Sequence, residues 1–371
     1  MSFPSQSLAV LVVIALLVSS VGCGEDATTE SQPSANTIVK PDGSGDYPTI
    51  QEAIDAADSL DIIELAPGTF RGDGNRDLDF LGKAITIRSI DGNAAECVID
   101  CEGEYYRQIR HRGFVFQSSE GGGSILENLT IFDGCMPVGG AILCEDSSPT
   151  IRNCVFTECV AILGGAIACE TASPTIDGCS FNAPVALQSG GGINCESSSP
   201  IISNSVFDRC WCAVWSPNAD SSLLPLSKRQ DHIGGAAIYC HESDPVITGS
   251  VMFGSRDHVG MASRQAALSC WSSSPEIGKS IICQSEGAAV YADETSFPVL
   301  RCSDLHENDD GDWVGAIEDQ AGTEGNISAD PGFQDPLNGD FTLQPNSPCG
   351  ADSASCGPMG IEPQGMDNAD R

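Results

Sequence analysis

An all-β solenoid is the architecture this sequence predicts, and three observations predict it. The stretch "GGAILCEDSSPTIRNCVF" at 139–156 returns almost unchanged as "GGAIACETASPTIDGCSF" at 164–181, and again as "GGGINCESSSPIISNSVF" at 190–207. Anchored on proline, the repeat falls at Pro149, Pro174, Pro200, Pro245, Pro275 and Pro298, with Cys144, Cys169, Cys195, Cys240 and Cys270 each five residues before the first five prolines. The runs between anchors are short, rich in Ile, Val and Thr, and bounded by Gly, Ser and Pro, which marks strands and turns. A period near 25 residues is too short for a strand–helix–strand unit, which needs about 30. Coils of two or three short strands, stacked about 4.8 Å apart, make a parallel β-helix. The hand of parallel crossovers makes it right-handed.

The elements follow in chain order. Leu8–Val21 is an apolar run too short to span a bilayer. It ends in "SSVGC", which resembles a bacterial lipoprotein signal. The resemblance implies an exported chain beginning at an acylated Cys23 and held at the cell envelope, with plain secretion as the alternative. Residues 24–36 are polar and carry Ser and Pro, as a flexible tether does. In "PTIQEAIDAADS", 48–59, Thr49 and Glu52 form a capping box and Ile50, Ala53, Ile54 and Ala57 line one face. This predicts a helix that caps the solenoid, whose open end must be covered. The strand "DIIELA" begins the coils and "APGTF" turns their first corner. The solenoid domain spans 37–348, within which residues 61–345 hold roughly ten coils at this period once an insertion at 211–233 is allowed for, and a tail follows at 349–371.

In such a coil each side chain stacks on its equivalent one rung away. The five cysteines then form an inward column of small, soft apolar groups. Cys154 and Cys179 start a second column, continued by Ser205, Ser250 and Ser280. Neighbouring rungs hold Cβ atoms about 4.8 Å apart against the ~3.8 Å of a disulfide, so both columns read as thiols. Cys349 and Cys356 read as the disulfide, closing a short terminal loop worth roughly 2.5 kcal/mol in the chain-entropy model.

The residue after each inward cysteine points outward. That row is Glu145, Glu170, Glu196, His241 and Trp271. Like charges one rung apart cost roughly 1 to 3.5 kcal/mol per pair at effective dielectrics of 80 to 20, which solvent, salt, a ligand or a cation must offset. Carboxylates one rung apart also approach the ~5 Å spacing of retaining glycosidases, and Trp271 is placed to stack on a sugar. Two Asp-His pairs, Asp231–His232 and Asp257–His258, lie one coil apart and have the chemistry of a Zn²⁺ site. The insertion "WCAVWSPNADSSLLPLSKRQDH" carries Trp211 and Trp215, two of the four tryptophans, on a long loop of the kind that binds ligands. The acidic "HENDDGDW", 306–313, lacks the ligand pattern of an EF-hand Ca²⁺ loop. A surface-solubilising face is the plain alternative for the row, and a self-packed cover for the insertion.

The opening "VKPDGSGDYPTIQEAIDAADSLDIIELAPGTF" resembles pectinesterases and other members of the pectin lyase-like superfamily. The Gly-Gly-Ala units at 139, 164 and 234 are similar to repeats of chlamydial polymorphic outer-membrane proteins. These resemblances cover about residues 38–348 and imply the fold. They do not carry the catalysis. The Gln-Asp-Thr-Leu, Asp-Phe-Ile-Phe-Gly and Gly-Arg-Pro-Trp units expected of pectinesterases are missing. So are the polygalacturonase constellation and the Arg-x-Pro of pectate lyases.

A formal charge of −35 disfavours nucleic acid and anionic bilayers as partners. It disfavours a polyuronate too, unless a divalent cation such as Ca²⁺ bridges the two. The expectation is a monomeric exported binder of polysaccharide or of a surface protein. A polysaccharide-degrading enzyme using the outward carboxylates, or a purely structural envelope element, is the alternative.

Overall fold

In the computed structural model the described residues are 36–213, 233–257, 265–351 and 356–361. They form an all-β parallel solenoid of about nine turns, 7% helical. One complete coil shows the plan. Ile142–Glu145 lies in an eight-stranded sheet, Thr150–Arg152 in a ten-stranded sheet, Val155–Thr157 in a nine-stranded sheet and Val160–Leu163 in a four-stranded one; Ile167–Glu170 then begins the next coil. All of these strands pair in parallel with their counterparts one turn away. The period miscounts the turns because Thr86 pairs directly with Ile125, so one coil swallows an excursion at 101–113 that dividing by the period cannot see. A single α-helix is described, Ile50–Ala56. Thr49 Oγ1 accepts the Glu52 N–H at 3.3 Å, and Ile50, Ala53 and Ile54 are buried.

Registration by stacking decides the packing. Inside the ten-stranded sheet, Ile151, Ile176, Ile202, Ile247 and Ile277 sit on one another, all buried. Inside the nine-stranded sheet, Phe156, Phe181 and Phe207 stack face to face. Outside the ten-stranded sheet the charges alternate: Glu64 pairs with Arg88 at 2.6 Å, and Glu127 with Arg152 at 3.0 Å. Sharp corners follow the strands, and non-glycine residues take them in the left-handed region, among them Asn153 at φ 52° and Asn204 at 49°. Asparagine tolerates that region better than other side chains.

Cys144, Cys169, Cys195, Cys240 and Cys270 are Cα partners from rung to rung, buried and unbonded. Contact with the Cys169 sulfur, then burial, pushes the Cys144 thiol far up. The second column sits at a corner and behaves differently. Ser205, Ser250 and Ser280 each donate to the carbonyl two residues back, at 2.8, 3.0 and 2.9 Å. Each also accepts an N–H from the rung before, at 3.2, 3.2 and 3.3 Å. Cys179 Sγ makes the same donation to Asp177 O at 3.5 Å. A serine therefore fits the corner and not the strand. Cys179→Ser is expected to change stability by less than about 1 kcal/mol. Cys195→Ser, which buries a hydroxyl in the thiol column, should cost about 2 kcal/mol. Urea midpoints of the two variants check this; equal shifts would refute it.

The chain does not end at the last coil. Residues 327–351 and 356–361 return over the outer face of the nine-stranded sheet as a strap. Phe333, Phe341, Cys349 and Met359 pack there on Val206, Val251, Phe253, Ile281 and Cys283. This corrects the expected disulfide. Cys356 is bonded to Cys302, and Cys349 is an unbonded, buried thiol. Cys302 occupies a left-handed corner at φ 50°, where the returning strap brings Cys356 to it. Cys349 sits on the inner side of the strap, its Sγ 3.2 Å from Asp304 Oδ2.

Candidate functional site

The outward row of the eight-stranded sheet assembles as the repeat requires. Glu145, Glu170, Glu196, His241 and Trp271 are successive Cα partners. The alternation that puts Ile142 and Cys144 in the core leaves Glu145 half-buried on the outside. His241 Nδ1 lies 2.6 Å from Glu196 Oε1, both side chains part-exposed. This contact joins an imidazole to a carboxylate one rung away on the same outward row. Three glutamates in register contrast with the alternating signs along the ten-stranded sheet.

Trp271 departs from expectation. It points outward but is only 5% exposed, its ring tilted against Tyr291 at 5.1 Å between centroids. It is a packing residue and offers no face to a sugar. Trp211 is half-buried in a two-residue strand, Trp211–Cys212, of the four-stranded sheet, not beside the glutamate row. Trp215, Asp231, His232 and His258 lie outside the described residues, as does Cys23, and Asp257 is placed only by its backbone, in the strand Arg256–Asp257. Among the described residues no group of three or more His, Cys, Asp or Glu side chains is arranged to hold a metal ion.

A site that the repeat did not announce opens at the side of the early coils. It is an open pocket of about 410 Å³ lined by Asp100, Glu102, Glu104, Asp133 and Glu158, with Tyr105 at one side. Asp100 ends the strand Cys97–Asp100, while Asp133 and Glu158 occupy equivalent left-handed corners at φ 54° and 55°. The excursion at 101–113 forms the remaining wall, tied by reciprocal hydrogen bonds between Glu104 and Ile109 at 2.9 and 3.0 Å. Gly103 is required there, because a Cβ would strike the Asp133 carbonyl and Cys135. Three carboxylates are paired with arginines: Asp100 with Arg71 at 2.8 Å, Glu102 with Arg76 at 2.6 Å and Glu104 with Arg107 at 3.2 Å. Partial burial, then the charges of Asp100, Glu158 and Glu104, hold the Asp133 carboxyl above its usual range. Tyr106, edge-on to Tyr105 at 5.6 Å, is 94% exposed. The available signal was the break in period at "CEGEYYRQIRHRG", two adjacent tyrosines among acids and arginines outside the repeat.

A parallel solenoid carrying clustered carboxylates and an exposed tyrosine on its outer faces is the class of protein that fold and site define. Residues 140–326 match the family model described as a right handed beta helix region, half of the chain, and the chain belongs to that family. Among solved structures it is similar to pectate lyase Pel9A at 13% identity and a TM-score of 0.50, over 90% of this chain and 94% of that one. A pectin methylesterase from carrot overlaps at 14% identity and TM-score 0.31, over 84% and 99% of the two chains. The PL6 family alginate lyase AlyGC overlaps at 16% and 0.38, over 79% and 40%. At these identities the likeness to pectate lyase shows the fold alone. No curated protein matches the sequence.

Proposed function

We propose that this protein binds polysaccharide, and that the acidic pocket beside Tyr105 and Tyr106 is where it does so. The observation that carries the reading is the pairing of carboxylates, which accept hydrogen bonds from sugar hydroxyls, with an exposed tyrosine on which a ring can stack. The charge of the pocket, like that of the whole chain, favours neutral or amino-bearing sugars over polyuronates. A divalent cation such as Ca²⁺ would be needed to admit a polyuronate. Tyr106→Ala is expected to weaken capture of a neutral oligosaccharide about tenfold while leaving the melting temperature unchanged. Asp133→Asn should weaken an amino-bearing ligand more than a neutral one. Calorimetric titration across a glycan panel tests both, and unaltered binding in the two variants would end the reading.

A second reading, hydrolysis or elimination of a glycosidic bond, is favoured by the Glu196–His241 contact in a row of registered glutamates. Release of reducing ends that disappears in Glu170→Gln and Glu196→Gln would select it. The remaining parts of the proposal rest on sequence. Export through a lipid-anchored Cys23 would present a monomeric binder at a bacterial envelope, the helix Ile50–Ala56 would seal the first coil, and the Asp-His pairs would take Zn²⁺.

A further inference from the structure

Besides hydrogen bonds such as Ile327 N–H to Ser303 O at 2.9 Å, Gly360 N–H to Lys279 O at 2.7 Å and Trp313 Nε1–H to Ser328 Oγ at 2.8 Å, three contacts attach the strap to the solenoid. The first is apolar: Phe253 meets Phe333 and Phe341 edge to face, with centroids 6.4 and 5.3 Å apart, and Met359 is buried beside them. The second is covalent, Cys302–Cys356. The third is a single buried acid. Asp304 is fully enclosed; its Oδ1 accepts the Ala329 N–H at 2.9 Å and its Oδ2 meets Cys349 Sγ–H at 3.2 Å, both partners lying on the strap. We propose that the strap is a releasable cover with a double lock, opening from the nine-stranded sheet only when Cys302–Cys356 is reduced and Asp304 has lost its proton.

The protonic lock follows from where the acid sits. Closing the strap removes Asp304 from water, and this burial raises its carboxyl to about 6. The Ala329 and Cys349 donors and His306 pull against that rise, and Asp312 adds to it. Cys283 interacts with Asp304, and Asp330, Asp312 and Glu307 act on Cys283 in turn. Burial, reinforced by Asp304, pushes the Cys349 and Cys283 thiols far up, so neither ionises while Asp304 does. The acid's ordinary value is 3.8. A group raised on closing stabilises the closed form fully below that value and progressively loses its contribution as pH rises to about 6. The opening constant of the reduced strap therefore rises about 100-fold between pH 3 and pH 7 and is flat above. With the disulfide intact the strap end cannot leave, and opening is suppressed at every pH.

Hydrogen exchange of the Ile327 and Gly360 amides, which bond across to Ser303 O and Lys279 O, measures opening directly in the full chain once corrected for intrinsic rates. A phosphine reductant serves at each pH; its phosphorus takes the oxygen of one water as the S–S bond is cleaved and the two sulfurs take that water's protons. The expected result is strong protection at all pH when oxidised, the 100-fold rise when reduced, and a rise below about threefold in reduced Asp304→Asn. If Asp304→Asn does not fold, the double variant Cys302→Ala/Cys356→Ala must show the full rise without reductant. A pH-independent opening constant in the reduced protein would overturn the protonic lock. Equal opening before and after reduction would overturn the covalent one.

Discussion

Gly165→Val is expected to lower stability by about 4 kcal/mol, a large share of the margin of an ordinary domain. The cause is one missing atom. Three successive coils enter the eight-stranded sheet through a Gly-Gly pair, Gly139–Gly140, Gly164–Gly165 and Gly190–Gly191, whose first member is left-handed, as Gly164 is at φ 66°, and the fourth has Gly235–Ala236 in register. The second member faces the next rung. A Cβ on Gly165 would overlap the carbonyl oxygen of Gly191 and the backbone of Val185; one on Gly140 would overlap Gly165 and Val160; one on Gly191 would overlap Ala236 and Trp211. These neighbours are backbone atoms fixed by the rung spacing, so no rotamer relieves the overlap. Gly121, in another glycine run, has nothing within 4 Å of a Cβ, and Gly121→Ala should stay within about 0.5 kcal/mol of the parent. Urea midpoints for the pair separate close packing from turn preference. A tolerated Gly165→Val would mean that the rungs part more easily than their register implies.

The same stacking explains how much of the molecule was legible before its structure. In a parallel solenoid the distance along the chain between equivalent residues is itself the register. The cysteine spacing therefore predicted the direct pairing of Cys195 with Cys240 across the longest interval. Alternation likewise predicted that Glu145, Glu170 and Glu196 would share a row. Direction is all that alternation yields, however. Trp271 does point outward, yet Tyr291 packs tilted against it, and no periodic signal encodes what a neighbouring side chain will cover. The segments without a period were the least legible. The excursion at 101–113 builds a wall of the acidic pocket, and the strap chooses Cys302 over Cys349 for Cys356, because both are placed by apolar fit and by single ion pairs or acids. Such contacts join residues with no fixed spacing. The insertion that drew notice by length and tryptophan content supplied no described part of the candidate pocket.

Phe181→Ala is expected to cost about 4 kcal/mol and also to change the manner of unfolding. Phe181 is fully buried between Phe156 and Phe207, with ring centroids 4.9 and 4.4 Å away and interplanar angles of 21° and 3°. Its removal deletes both stacking contacts and leaves a cavity whose walls are rungs held in place by their own ladders, so collapse is limited. Stability in a solenoid is a sum of rung terms and nearest-neighbour interfaces. A defect here weakens the coupling between the coils before Phe156 and those after Phe207. The strap's main cluster lies wholly on the later side, where Val206, Val251 and Ile281 hold it. The later coils should therefore outlast the earlier ones, and calorimetry should resolve two transitions where the parent shows one. Phe297→Ala, at a ring 67% exposed, should leave a single unshifted transition. A single lowered transition in Phe181→Ala would show instead that the isoleucine and cysteine columns transmit cooperativity past the gap, making the aromatic stack one cable among several.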